Sequence, residues 1–142
     1  MKTVLGISLI VLISIANLSA GDYQPTILLR ANWGEADGEL GLRLEAEGNC
    51  PQALAVDEDG NLAILDPVNQ RVQLFSPDGK WSGKFAITSN SFDIQVQNHQ
   101  FLLLAPYDYS VARYSRDGKF IEKIMIDRKI EMIDGFHADE ND

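Results

Sequence analysis

With a single cysteine, Cys50, in 142 residues, the chain can form no intrachain disulfide and its fold has to hold by packing alone. A solitary thiol of this kind is expected to be buried, as free cysteines commonly are. Basic residues are scarce: 12 Lys and Arg against 21 Asp and Glu give a formal charge of −9, spread along the sequence. Such a surface repels phosphate backbones, which excludes nucleic acid as a partner. Histidine is scarcer still, with only His99 and His137, too few for a structural zinc site. No Gly-x-Ser-x-Gly, no Cys-His pair at suggestive spacing and no phosphate-binding loop occurs. The acidic run Asp57-Glu58-Asp59 lacks the spaced ligands and distal Glu of a helix-loop-helix calcium site. Neither a metal nor another cofactor is therefore expected.

Long apolar runs are missing too, with one exception at the start. Lys2 precedes an almost unbroken apolar run from Val4 to Ile15, and small residues follow at Ala16, Ser19, Ala20 and Gly21, the pattern of a secretory signal over residues 1–21. Cleavage is expected after Ala20 or Gly21. Extended to Ala20, the stretch reaches only the short end of what spans a bilayer of roughly 30 Å, so a tether by the uncleaved segment is the lesser alternative. Gly21 stands where a lipoprotein needs its cysteine, which rules out a lipid anchor. The expected location is secreted or periplasmic, with no stable membrane insertion after cleavage.

The mature part, 22–142, shows no helical periodicity. Its composition, 45% hydrophobic and 23% charged over the whole chain, suits one folded domain. Apolar runs of four to eight residues alternate with Gly, Pro, Asn and Asp clusters, an all-β pattern. Strands are expected at Gln52 to Val56, Leu62 to Leu65, Arg71 to Phe75 and Trp81 to Thr88. Between them lie turns at Asp57-Glu58-Asp59-Gly60-Asn61, Asp66-Pro67-Val68-Asn69 and Ser76-Pro77-Asp78-Gly79. Four strands in about forty residues make an antiparallel meander.

The meander then recurs. Residues 66–81 are answered by residues 105–120 at a constant offset of 39, as in Ser76-Pro77-Asp78-Gly79-Lys80 and Ser115-Arg116-Asp117-Gly118-Lys119. A third start, Gly135-Phe136-His137-Ala138-Asp139-Glu140, matches Ala53-Leu54-Ala55-Val56-Asp57-Glu58. Four-stranded repeats of this length point to propeller blades, here about 50–88, 90–127 and the beginning of a third at 130–142. Thr26 to Ala31 reads as one further strand ahead of them, placed to complete another blade. With about two blades where ring closure takes four to eight, sheet faces stay uncovered, and self-association is expected unless more strands complete the ring.

The motif Pro51-x-x-Leu54-Ala55-Val56-Asp57-x-Asp59-Gly60-Asn61-Leu62, followed by Asp66-x-x-Asn69-x-Arg71-Val72-Gln73-x-Phe75-x-x-x-Gly79, resembles an NHL repeat. Trp33-Gly34 with Asp37-Gly38-Glu39 resembles the linker ahead of one. The second unit departs from the pattern, with Ala105, Asp108 and Ser110 where the motif has Asp, Asn and Arg. The resemblance implies a propeller, commonly of six blades, and no particular activity. Its residues have structural reasons: Gly60 and Gly79 supply positive φ for tight turns, and Asp66, Asn69 and Arg71 can hydrogen-bond backbone groups a turn leaves unpaired.

In a propeller the first strand of each blade lies nearest the axis. Leu54, Ile94 and Phe136, and Val56, Val96 and Ala138, stay apolar and suit packing between blades. On the alternate face, Asp93, Gln95 and His137 form the best candidate for a channel-lining polar cluster. Tyr107, Tyr109 and Tyr114 with Trp81 make an aromatic-rich strip fit to contact a sugar or a peptide. His99 falls in a hairpin. Loops without a catalytic constellation favour a secreted, non-enzymatic binding or scaffold module with a protein or carbohydrate ligand. The alternative is the N-terminal part of a metal-dependent propeller enzyme, a lyase or lactonase-like hydrolase, to which His137 would contribute a ligand.

Overall fold

The computed structural model describes residues 26–44, 49–127 and Phe136. The expected signal segment, His137 and all but one residue of the expected third unit lie outside them. Eight strands make two separate antiparallel sheets, each an uninterrupted meander. The first holds β1 (Ala53–Val56), β2 (Leu62–Asp66), β3 (Arg71–Phe75) and β4 (Trp81–Ala86). The second holds β5 (Asp93–Gln97), β6 (Gln100–Ala105), β7 (Ser110–Tyr114) and β8 (Phe120–Met125), with a short 3₁₀ turn, Pro106–Asp108, between β6 and β7. The four strands expected in the first blade hold to within two residues at every end, the last of them stopping at Ala86.

Turn chemistry punctuates the strands. Gly60, Gly79 and Gly118 all sit at positive φ, +75° to +81°. In the first hairpin the Asp57 carboxylate gathers the N–H groups of Asp59 and Asn61 at 3.0 and 2.8 Å, which the five-residue loop would otherwise leave unpaired. The second blade closes the same corner with only Asn98 and His99, both at positive φ as a two-residue hairpin demands. His99 Nδ1 lies 3.0 Å from Glu58 of the neighbouring hairpin. The blades repeat in detail: each has its register shift at the same place, Leu74/Phe75 and Arg113/Tyr114.

The sheets meet along their inner strands, with β1 and β2 against β5, and fan apart outwards as blades do. Ala63, Leu65, Val72, Phe85 and Ile87 of the first blade interlock with Ile94, Phe101, Leu103, Ala112 and Tyr114 of the second. The Phe85 ring is centred 5.0 Å from Phe101 and 5.3 Å from Tyr114. Ile94 and Val96 pack between the blades as expected, and β1 meets them with its opposite face. Ala53 and Ala55 pack on this core beside Val96, whereas Leu54 and Val56 face the other way and stay 41% and 44% exposed. Successive blades stack front to back, so equivalent residues cannot meet one another.

That outer face of the first blade is covered instead by residues 26–44. Leu29, Ala31 and Leu40 bury against Leu62, Ile64 and Phe75, just as Phe85 and Ile87 bury against Phe101, Leu103 and Tyr114 one blade later. The glycines report the same equivalence. A Cβ on Gly79 would lie 2.1 Å from the Leu28 carbonyl oxygen, and one on Gly118 would lie 2.3 Å from Phe85 Cβ. Residues 26–31 therefore occupy the place that β4 holds for the second blade, yet they belong to no strand of either sheet. The expected strand there needs partner backbone, and none of the described strands runs beside it.

Candidate functional site

Asp66, Asn69 and Arg71 are the strongest motif residues, and they act over a longer range than one turn. Asp66, fully buried, accepts from Arg71 Nε at 3.0 Å, from Asn69 Nδ2 at 2.9 Å and from the Gly41 N–H at 3.1 Å. The Arg71 guanidinium donates onward to the carbonyls of Glu35, Ala36 and Glu39, and Asn69 Nδ2 to that of Gly34. Gln73, also fully buried, donates to the Glu39 carbonyl and accepts from Gly38 N–H and Trp81 Nε1. An irregular segment presents carbonyls that no ladder satisfies, and this quartet satisfies them. In the second blade the same positions are Ala105, Asp108, Ser110 and Ala112. There a sheet, already hydrogen-bonded internally, packs on the face, so small residues serve where Asp, Arg and Gln served before. The quartet is structural, and it fixes the segment that leads to Arg43.

The polar cluster expected at the axis is partly in view. Asp93 Oδ2 accepts from the Phe136 N–H at 3.5 Å, and Gln95 Nε2 donates to the Phe136 carbonyl. The two side chains come together and hold the backbone of the next unit; His137, their expected companion, lies outside the described residues.

The four aromatic residues do not form one strip. Tyr114 is buried between the blades, its ring also edge-on to Phe120 at 5.7 Å, and Trp81 covers Gly38 on the first blade. Cys50 corrects another expectation: it is exposed, because it falls on the surface loop before β1 instead of on a strand. Tyr107 is the most exposed of the four aromatics, at 77%, standing edge-to-face against Phe92 at 5.3 Å. Tyr109 closes the same turn in a left-handed conformation, φ +48°, half-buried.

Tyr107 opens onto a cleft of ≈ 290 Å³ between the two blades. Its walls are the β2–β3 turn of the first blade (Pro67, Val68, Gln70), Tyr107 from the β6–β7 turn of the second and the β4–β5 loop (Asn90, Ser91, Phe92), with Arg43, Asn49 and Gln52 from the lead-in segment. These loops all emerge at the same end of the sheets, and the volume lies at the lower edge of the roughly 300–1,000 Å³ of small-molecule sites. The repeat builds two of the walls identically. Gln70 and Tyr109, 39 residues apart, are both left-handed without being glycine, and their carbonyls accept the N–H groups of Ile87 and Ile126. Each such residue costs about 1–2 kcal/mol, strain that sheet pairing maintains at the rim. Of the lining residues only Arg43 is charged; the rest are amides, a hydroxyl, aromatics and aliphatics. Tyr107 was named from the sequence, though as a member of an aromatic strip and not of a cleft. Arg43, Gln70, Asn90 and Phe92 were not, although the offset of 39 between Val68 and Tyr107 signals that two equivalent turns face one gap.

No protein-family model matches the chain, and no curated protein matches it. Among solved structures it is similar to a chain of the nidogen/laminin complex, at 16% identity and a TM-score of 0.53, over 72% of this chain and 34% of that one. It is similar also to virginiamycin B lyase from Staphylococcus aureus, at 16% identity and a TM-score of 0.47, over 72% and 37%. The chain thus spans between about a quarter and two fifths of the length of the structures it resembles. At such identity the resemblance concerns fold alone. The eight described strands are two adjacent blades of a β-propeller.

Proposed function

We propose that the chain is an extracytoplasmic NHL-type propeller module that binds a ligand in the cleft between its blades and carries out no chemistry on it. The observation that carries this reading is Tyr107: a large ring 77% exposed at the mouth of a cleft, braced by Phe92 and faced by amide side chains. An exposed aromatic held by a second ring offers a stiff apolar face at small entropic cost, and amides that both donate and accept supply the orientation. Residues 1–21 serve as the export signal in this proposal.

Two measurements test it. Arrayed glycans and peptides probed with the full chain should yield ligands whose binding is lost in Tyr107→Ala; ligands that bind Tyr107→Ala as well as the natural chain would remove the cleft from the account. For export, mass spectrometry of the secreted species should find a first residue at Gly21 or Asp22, and an intact Met1 on soluble protein would contradict it.

A further inference from the structure

Resting on the reading of the cleft as a binding site, we infer that its ligand is an acidic carbohydrate, a glycan with a hexuronic acid residue seated between Tyr107 and Arg43. Three features of the lining carry this. The first is charge. In a protein of net charge −9 with 21 Asp and Glu, no described lining residue is acidic, and Arg43 is the sole charge. Its backbone is held to Asn49 by reciprocal hydrogen bonds of 2.9 and 3.0 Å, while its side chain is exposed and enters none of the ion pairs formed between described residues. A guanidinium fixed at its root and, among the described residues, unpaired at its tip matches a carboxylate, which accepts two parallel hydrogen bonds from it.

The second feature is the aromatic pair. The Tyr107 ring stands at 84° to Phe92 and stays 77% exposed, so a large part of it is accessible at the cleft it lines. A pyranose ring has a C–H-rich face that packs on such a platform, whereas an extended acidic peptide offers mostly solvated carboxylates. The third is the set of amides. Asn49, Gln52, Gln70 and Asn90 together provide donors and acceptors in equal measure, and hydroxyl groups both donate and accept. A ligand that is anionic at one point and hydroxylated elsewhere uses all three features.

The test is calorimetric titration of the full chain with a tetramer of α-1,4-linked galacturonic acid, its methyl ester and tetraglutamate. The acid form should bind, and the ester, with the same sugar backbone but neutral and larger by one methyl per residue, at least about tenfold more weakly, in keeping with a charge-assisted hydrogen bond. Arg43→Gln should erase the difference between acid and ester, and Tyr107→Ala should weaken both. Both residues are exposed, so neither variant threatens the fold. Equal affinity for acid and ester overturns the acidic ligand while leaving a carbohydrate site. Binding of tetraglutamate in preference to the sugar acid overturns the carbohydrate class. If none of the three binds the natural chain, the inference fails, and the array result with Tyr107→Ala shows independently whether the binding-module reading fails with it.

Discussion

Asp78 and Asp117 sit 39 residues apart in equivalent turns, and both carboxyls are held down to about 2. The ammonium groups of Lys80 and Lys119 contribute most, followed by the hydroxyls of Ser76 and Ser115. Because the folded value lies below the unfolded one, near 3.8, the stabilisation is complete above pH 4 and disappears as pH falls toward 2. The double variant Asp78→Asn, Asp117→Asn should therefore melt lower than the natural chain at pH 6 and level with it near pH 2; a gap that does not change with pH would contradict the assignment. The glycines following these residues differ from Gly60 in their surroundings. Gly60→Ala meets only Pro77 at 3.5 Å and should cost about 1 kcal/mol, the ordinary penalty at positive φ. Gly79→Ala drives a Cβ into the Leu28 carbonyl and should cost at least about twice as much. Lys80→Val removes only the solvent-exposed pair with Asp78 and should cost less than either glycine change, and equal losses at all three positions in chemical denaturation would refute the turn assignment. The need for glycine was legible from Asp-Gly alone. The closer contact at Gly79 was not, since it is made by a segment fifty residues away.

At the scale of elements, the strands were readable because every boundary carries turn chemistry and the meander needs only neighbouring pairings. Harder to read was which face of a strand meets which blade: Leu54 and Ile94 look alike in sequence, yet one is 41% exposed and the other 2%. The departures of the second unit from the motif also have a tertiary cause. Arg71 answers the carbonyls of residues 35, 36 and 39, while Ser110 faces a sheet whose carbonyls are already paired. Restoring the motif with Ser110→Arg should accordingly destabilise the chain, placing an unpaired cation at a fully buried position, by about 3 kcal/mol or more. An unchanged or raised unfolding free energy in urea would show that the loss of the motif was drift. The candidate site was half legible: Tyr107 stood out, but its partners come from loops and a lead-in segment whose course is set by the buried Asp66, Arg71 and Gln73.

Taken as a whole, the described part of the molecule is incompletely covered: residues 26–44 bury Leu62, Ile64 and Phe75 on the first blade's outer face but leave β1 open. Between the blades the core is closed; on the first blade's outer face Leu54 and Val56 lie open, and residues 26–31 stand where an outer strand belongs with no described strand beside them. The second blade's equivalents, Ile94 and Val96, show what belongs there: the inner strands of another blade. We propose that this face recruits such strands, and that without them it drives self-association, as exposed apolar sheet faces do. Size-exclusion chromatography with light scattering on residues 22–142, joined to a thermal melt, tests this account of the chain as adjoining blades of a larger ring. The account predicts concentration-dependent association that Leu54→Lys with Val56→Lys reduces. A monodisperse monomer with a sharp cooperative transition, unchanged by those substitutions, would contradict it and make the chain a self-sufficient β-domain.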